Sequence, residues 1–161
     1  MRRFAGFALA AAVAVTVLPS RLLQARQTCR PLNGHFEARL VPPPDCVSPV
    51  GVCTGGRVWG GLQGDYQFTM SKLVPTAEQE TPSIFFFTGR SVVHTTGGDL
   101  LGVDTGTLDL PPGQGGFASL ITWTGGTGDY AGATGQIRLR GFLDGFAGTT
   151  SGDYDGSICV P

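Results

Sequence analysis

The sequence predicts an all-β domain, and three observations carry that expectation. The stretch Thr122–Gly135, reading TWTGGTGDYAGATG, sets Gly125, Gly126, Gly128, Gly132 and Gly135 between two alternating segments. That glycine density opposes a helix and suits a tight connection between strands. Apolar and polar residues then alternate with a period of two through much of the chain, with no helical pattern past the N-terminal segment. Turn signals punctuate seven or eight such runs at short spacing, the pattern of a sandwich or a barrel. Long strands kinked by glycine favour the barrel, because closure needs bends and removes exposed edges.

In chain order, residues 1–25 read as a secretory signal peptide: Arg2 and Arg3, the apolar run Phe4–Leu18, then a short, more polar tail. The apolar run is short for a membrane span. Residues 26–161 are expected to form one domain. Arg26–Leu32 reads as an extended lead-in and Asn33-Gly34 as a turn. In Gly34–Val41, Phe36, Ala38 and Leu40 share one face against His35, Glu37 and Arg39, and Pro42-Pro43-Pro44 ends the strand. Cys46–Gly56 reads as loop, and Arg57–Val74 as one long strand or two joined at a kink, with Tyr66, Phe68 and Met70 on one face.

Pro75–Pro82 is a polar connection carrying Glu78 and Glu80, and Ile84–Thr96 a strand with aromatics on both faces. Gly97-Gly98 signals a hairpin into Leu100–Leu110, where Gly102 and Gly106 read as interruptions. Phe117, Ser119, Ile121 and Trp123 share a face of Gly116–Thr124. Ile137, Leu139 and Leu143 oppose Gln136, Arg138 and Arg140. Tyr154, Ile158 and Val160 oppose Asp153 and Asp155 in the last strand, Thr149–Val160.

The run Gly126-Thr127-Gly128-Asp129-Tyr130-Ala131-Gly132-Ala133-Thr134-Gly135 resembles the GTG-x-aromatic-x-GA-x-G turn of the allene oxide cyclase and dirigent-like barrels, including their bacterial relatives. The likeness extends through Phe87-Thr88-Gly89 and Gly116–Trp123, and covers roughly Val58 to Val160. The resemblance implies an eight-stranded antiparallel β-barrel with an apolar, calycin-like lumen. It leaves the activity open, since such barrels include cyclases and proteins that only orient bound reactants. No catalytic set of the cyclases carries over, because their motif lies outside the shared turn.

Cysteine and charge narrow the function classes. Cys29, Cys46, Cys53 and Cys159 form an even set behind an export signal, which favours two disulfides. Cys46 and Cys53 flank a short loop and are expected to pair, leaving Cys29 for Cys159; the spacings lack the CxxC of a zinc site. Loss of Arg2, Arg3 and Arg21 takes the basic count from 11 to 8 against 12 acidic residues, a net of −4. Only Arg138 and Arg140 lie close together, so no nucleic-acid surface is expected. A histidine-dependent triad has only His35 and His94 to draw on, the first on a polar strand face. Asp153-Tyr154-Asp155-Gly156 lacks the further ligands of a calcium loop, and no helix follows Gly125–Gly135 to hold a dinucleotide phosphate. No metal or cofactor is expected.

What remains is the lumen. Phe36, Tyr66, Phe68, Met70, Ile121, Trp123, Ile137, Leu139 and Tyr154 are the side chains expected to point inward, with Tyr66 and Tyr154 as polar tips on a deformable apolar wall. The leading expectation is a secreted (extracellular or periplasmic) barrel that binds a small apolar or aromatic molecule there without bond chemistry of its own. Two alternatives stand beside it: an isomerase or cyclase acting by confinement, and a structural or partner-binding domain with a filled core.

Overall fold

The computed structural model describes residues 27–76 and 83–161. The expected signal segment and most of the acidic connection before Ile84 lie outside these residues. Eight strands follow in order: β1 (Thr28–Leu40), β2 (Cys53–Gly60), β3 (Gly64–Pro75), β4 (Ile84–Thr95), β5 (Gly98–Asp109), β6 (Gly116–Gly126), β7 (Thr134–Asp144) and β8 (Thr149–Val160). Each pairs antiparallel with its neighbour in sequence, and β8 returns to β1, closing the barrel. Closure leaves no strand edge unpaired.

The alternation read from the sequence sets which side chains fill the interior. Phe36 and Ala38 of β1, Tyr66, Phe68 and Met70 of β3, Ile121 and Trp123 of β6, Ile137 and Leu139 of β7, and Tyr154 and Ile158 of β8 are all buried. Phe87 turns inward while its neighbour Phe86 is 53% exposed, so the aromatic run in β4 divides between lumen and outer surface. Both expected disulfides are present, Cys29–Cys159 between β1 and β8 and Cys46–Cys53 at the start of β2.

Three points differ from the sequence reading, and one of its alternatives is decided. Asn33-Gly34 is no turn: β1 runs straight through it, pairing Asn33 with Asp155 and Gly34 with both Tyr154 and Gly60. Glycine is needed there for close approach, since a Cβ would overlap the Trp59 carbonyl oxygen and the Tyr154 phenol. The stretch Arg57–Val74 is two strands, and β2 begins at Cys53, inside what reads as loop, because Cys53–Gly56 pairs with Tyr66–Thr69. The glycine-rich turn contains a single 3-10 turn, Gly128–Tyr130, despite its composition. Gly128 enters it with φ +55°, a conformation glycine adopts without strain. Asp129 N–H then donates to the Gly97 carbonyl at 2.8 Å and Thr127 N–H to that of Asp99 at 2.8 Å, clamping this turn onto the β4–β5 hairpin.

The connections sort to two ends. Residues 61–63, 96–97 and 127–133, with the starts of β1 and ends of β8, form one end. Residues 41–52, 110–115 and 145–148 form the other. The first end is packed and the second holds a cavity.

Candidate functional site in the barrel lumen

Along β5 the inward positions are Leu100, Gly102, Asp104, Gly106 and Leu108, while Leu101 and Val103 face outward, 39% and 45% exposed. A carboxylate thus takes an interior place that alternation would assign to an apolar side chain. Asp104 is 2% exposed and borders a cavity of about 60 Å³ in the upper half of the barrel. Two aromatic pairs flank that space: Phe68 and Phe87 meet edge-on with ring centroids 5.7 Å apart, and Phe36 and Phe117 lie 6.0 Å apart. Met70, Leu108, Leu139 and Leu143 complete the apolar wall, and Thr54, Ser119 and Thr150 add hydroxyls.

A polar chain crosses the apolar interior to reach Asp104. The Tyr66 hydroxyl lies 3.3 Å from Ser91 Oγ, and Ser91 Oγ donates to Asp104 Oδ2 at 3.3 Å. Among the described residues, Asp104 Oδ1 and Ser119 Oγ have no hydrogen-bond partner. Burial pushes the Asp104 carboxyl up to about 6, outweighing the Ser119 and Ser91 hydroxyls and the Thr105 N–H, which favour its charged form. Ser119 acts there by proximity, since its Oγ falls outside hydrogen-bonding geometry. Burial raises the Tyr66 phenol far above its ordinary range, and the charge of Asp104 adds to that. Among the described residues no Lys, Arg, His or Glu lines the cavity.

The nine side chains expected in the lumen divide between two environments. Phe36, Tyr66, Phe68, Met70 and Leu139 border the cavity. Ile121, Trp123, Ile137 and Tyr154 instead surround a void of about 10 Å³ at the packed end, which Phe36, Tyr66 and Leu139 also line. Tyr154 is no free polar tip: its hydroxyl accepts from Leu62 N–H at 2.9 Å and donates to the Trp59 carbonyl at 2.9 Å, tying the β2–β3 turn across the barrel floor. Burial raises its pKa, opposed by the Leu62 N–H and by Arg30.

Sequence reasoning missed Asp104 and Ser91. The signal was present, because Gly102 and Gly106 occupy inward positions of one continuous strand and Asp104 stands midway between them. Reading those glycines as breaks hid the register. They make room for neighbours instead: a Cβ at Gly106 would press on the Ala118 carbonyl oxygen, Ser119 and Phe87, and one at Gly102 on Ile121 and Trp123.

The other chemistry-bearing residues are engaged on the outer surface. His35 Nδ1 lies 3.1 Å from Asp153 Oδ1, and His94 Nδ1 lies 2.8 Å from Asp99 Oδ1. Arg138 donates to Asp155 Oδ2 at 2.6 Å, so both carboxylates of the Asp153–Asp155 stretch face outward toward basic partners. All four cysteines are oxidised.

No protein-family model matches this sequence, and no curated protein matches it. Among solved structures the chain is similar to a pterocarpan synthase dirigent protein, with a TM-score of 0.50 at 14% identity over 91% of this chain and 99% of that one. The fold is a dirigent-like barrel. The resemblance carried by the glycine-rich turn therefore holds at the level of architecture, on the dirigent side of the pair of families it suggested. The dirigent-like barrel here combines a packed floor with a cavity whose polar feature, Asp104, is set by its own sequence.

Proposed function

We propose that this dirigent-like barrel is a secreted binder of a small apolar or aromatic molecule, held in the upper lumen without bond chemistry of its own. The observation that carries this reading is the contrast within one interior. Rings and aliphatic side chains close the floor to a residual void of about 10 Å³, while the upper half keeps a cavity of about 60 Å³ walled by four phenylalanines and Met70. Apolar walls with a few placed polar groups are the usual make-up of a small-molecule site. At about 60 Å³ the space is smaller than the roughly 150 Å³ that holds a benzene ring, so it admits part of a ligand, with the remainder directed to the end formed by residues 41–52, 110–115 and 145–148. Two disulfides suit an oxidising compartment, in keeping with residues 1–25 as an export signal.

A neutral fluorescent naphthyl probe tests the reading through its own emission, since Trp123 lies at the packed end. Saturable binding near one equivalent is expected. Thr150→Leu, at a cavity-lining position, should abolish it while leaving the barrel folded. A filled core predicts no saturable binding and an overpacking cost of about 1–3 kcal/mol for the same change.

A second reading, an isomerase or cyclase acting by confinement, is favoured by Asp104. A carboxyl with a pKa of about 6 beside a ligand cavity is poised to take and return a proton near neutral pH. Turnover lost on Asp104→Asn, with binding retained, would establish it over simple carriage.

A further inference from the structure

The geometry points to an arylalkyl amine, bound as its ammonium, as the class of ligand this lumen takes: the cation lies beside the Asp104 carboxylate and the aromatic ring toward Phe68, Phe87 and Phe117. The inference rests on the lumen-binding reading above and names its ligand. Three features select a cation over a neutral polar group. First, the polar chain runs one way: Ser91 Oγ donates to Asp104 Oδ2, with the Tyr66 hydroxyl behind it, an arrangement that supports an anion and uses one carboxylate oxygen only. Second, Oδ1 is left without a donor although Asp104 is 2% exposed. A buried carboxylate lacking both a counter-charge and a hydrogen bond on one oxygen is costly, and among the described residues no basic side chain lines the cavity to relieve it. An alcohol would supply one hydrogen bond and leave the charge uncompensated, whereas an ammonium supplies both. Third, the walls suit the same guest. Phenylalanine rings attract a desolvated cation and pack a ring.

The groups facing Asp104 are Tyr66 from β3, Ser91 from β4 and Ser119 from β6, so among the described residues Tyr66 is the only other titratable side chain lining the cavity. Its pKa is raised, which keeps it neutral through the working range. Amine preference should therefore follow the ionisation of Asp104 alone.

The test compares benzylamine, benzyl alcohol and ethylbenzene binding to the purified protein at pH 7.5 and pH 5. Benzylamine is expected to bind at least tenfold more tightly than either analogue at pH 7.5, with that preference shrinking at pH 5. In Asp104→Asn the preference should vanish while ethylbenzene binding persists. A second measurement needs no variant: the 13C-detected midpoint of the Asp104 carboxyl should fall by one pH unit for each tenfold preference of the amine for the ionised form. Binding of alcohol or hydrocarbon equal to that of the amine, or a carboxyl midpoint unmoved by saturating benzylamine, overturns the amine inference and leaves the apolar lumen standing. Failure of all three compounds to bind overturns the lumen reading and this inference with it.

Discussion

The floor and the upper half of the barrel are built from the same eight strands and differ in what alternate positions carry. Toward the floor, Leu32, Leu62, Val93, Leu100, Trp123 and Ile158 are each 3% exposed or less, and Tyr154 bonds the β2–β3 turn across them. In the upper half, Thr54, Ser119 and Thr150 occupy inward positions, short side chains that leave space between the rings, and Asp104 stands below them. The difference teaches that a small barrel need not be either plug or vessel. A floor that leaves a void of only about 10 Å³ holds the strands in register, and that register lets the other half stay underfilled. The disulfides follow the same division: Cys29–Cys159 joins the strand ends at the floor and spans 130 residues, whereas Cys46–Cys53 trims a seven-residue separation above.

The largest expected effect sets those two cross-links against each other. In the chain-entropy account, closing a loop of 130 residues contributes about 5 kcal/mol and one of seven about 2 kcal/mol. Replacing Cys29 and Cys159 by serine should therefore lower the melting temperature far more than replacing Cys46 and Cys53. Equal losses would break the claim that the floor carries the stability.

Packing gives the next contrast. Ile158 is fully buried at the floor, so Ile158→Ala should cost about 2–5 kcal/mol in denaturant unfolding. Leu143, partly buried beside the cavity, should cost less than half as much on truncation, because its removal enlarges a space that already exists. A Leu143→Ala loss matching that of Ile158→Ala would show the upper half to be packed as well.

Asp104 supplies the pH test. Its folded pKa, about 6, lies above the ordinary carboxyl value of 3.8, so its contribution to stability is full below pH 3.8 and is lost as the pH rises through 6. That shift corresponds to about 3 kcal/mol. The stability difference between Asp104→Asn and the parent should grow in the variant's favour by up to that amount between pH 4 and pH 7. A difference that does not change across this window would mean that Asp104 is better solvated than its burial indicates.

The floor was the more legible half in the sequence. Period-two alternation identified Ile121, Trp123, Ile137 and Tyr154 as interior residues, and the glycine-rich turn pointed to the barrel architecture. Alternation reports facing, however, and not depth along the barrel axis, which depends on the register between strands. Ile121, Trp123, Ile137 and Tyr154 were accordingly grouped with Phe68 and Met70, though they fill the floor. Asn33-Gly34 misled for a related reason: the dipeptide signals a turn locally, while here the glycine answers to Tyr154, a residue distant in sequence. Asp104 was hidden by two flanking glycines that leave space for Ala118, Phe87, Ile121 and Trp123 of neighbouring strands. Each miss concerns contacts between strands, which a pattern read along one strand does not contain.

The bond between Cys29 and Cys159 also changes the covalent topology of the molecule. It turns nearly the entire domain into a macrocycle, so one backbone scission anywhere between the two cysteines opens the ring without releasing a fragment. Phe146, 97% exposed in the loop between β7 and β8, offers a chymotryptic cleavage point of that kind. Protein nicked there would run as one species without reductant and as two with it. The barrel can thus tolerate a broken backbone as a closed ring tolerates a single cut.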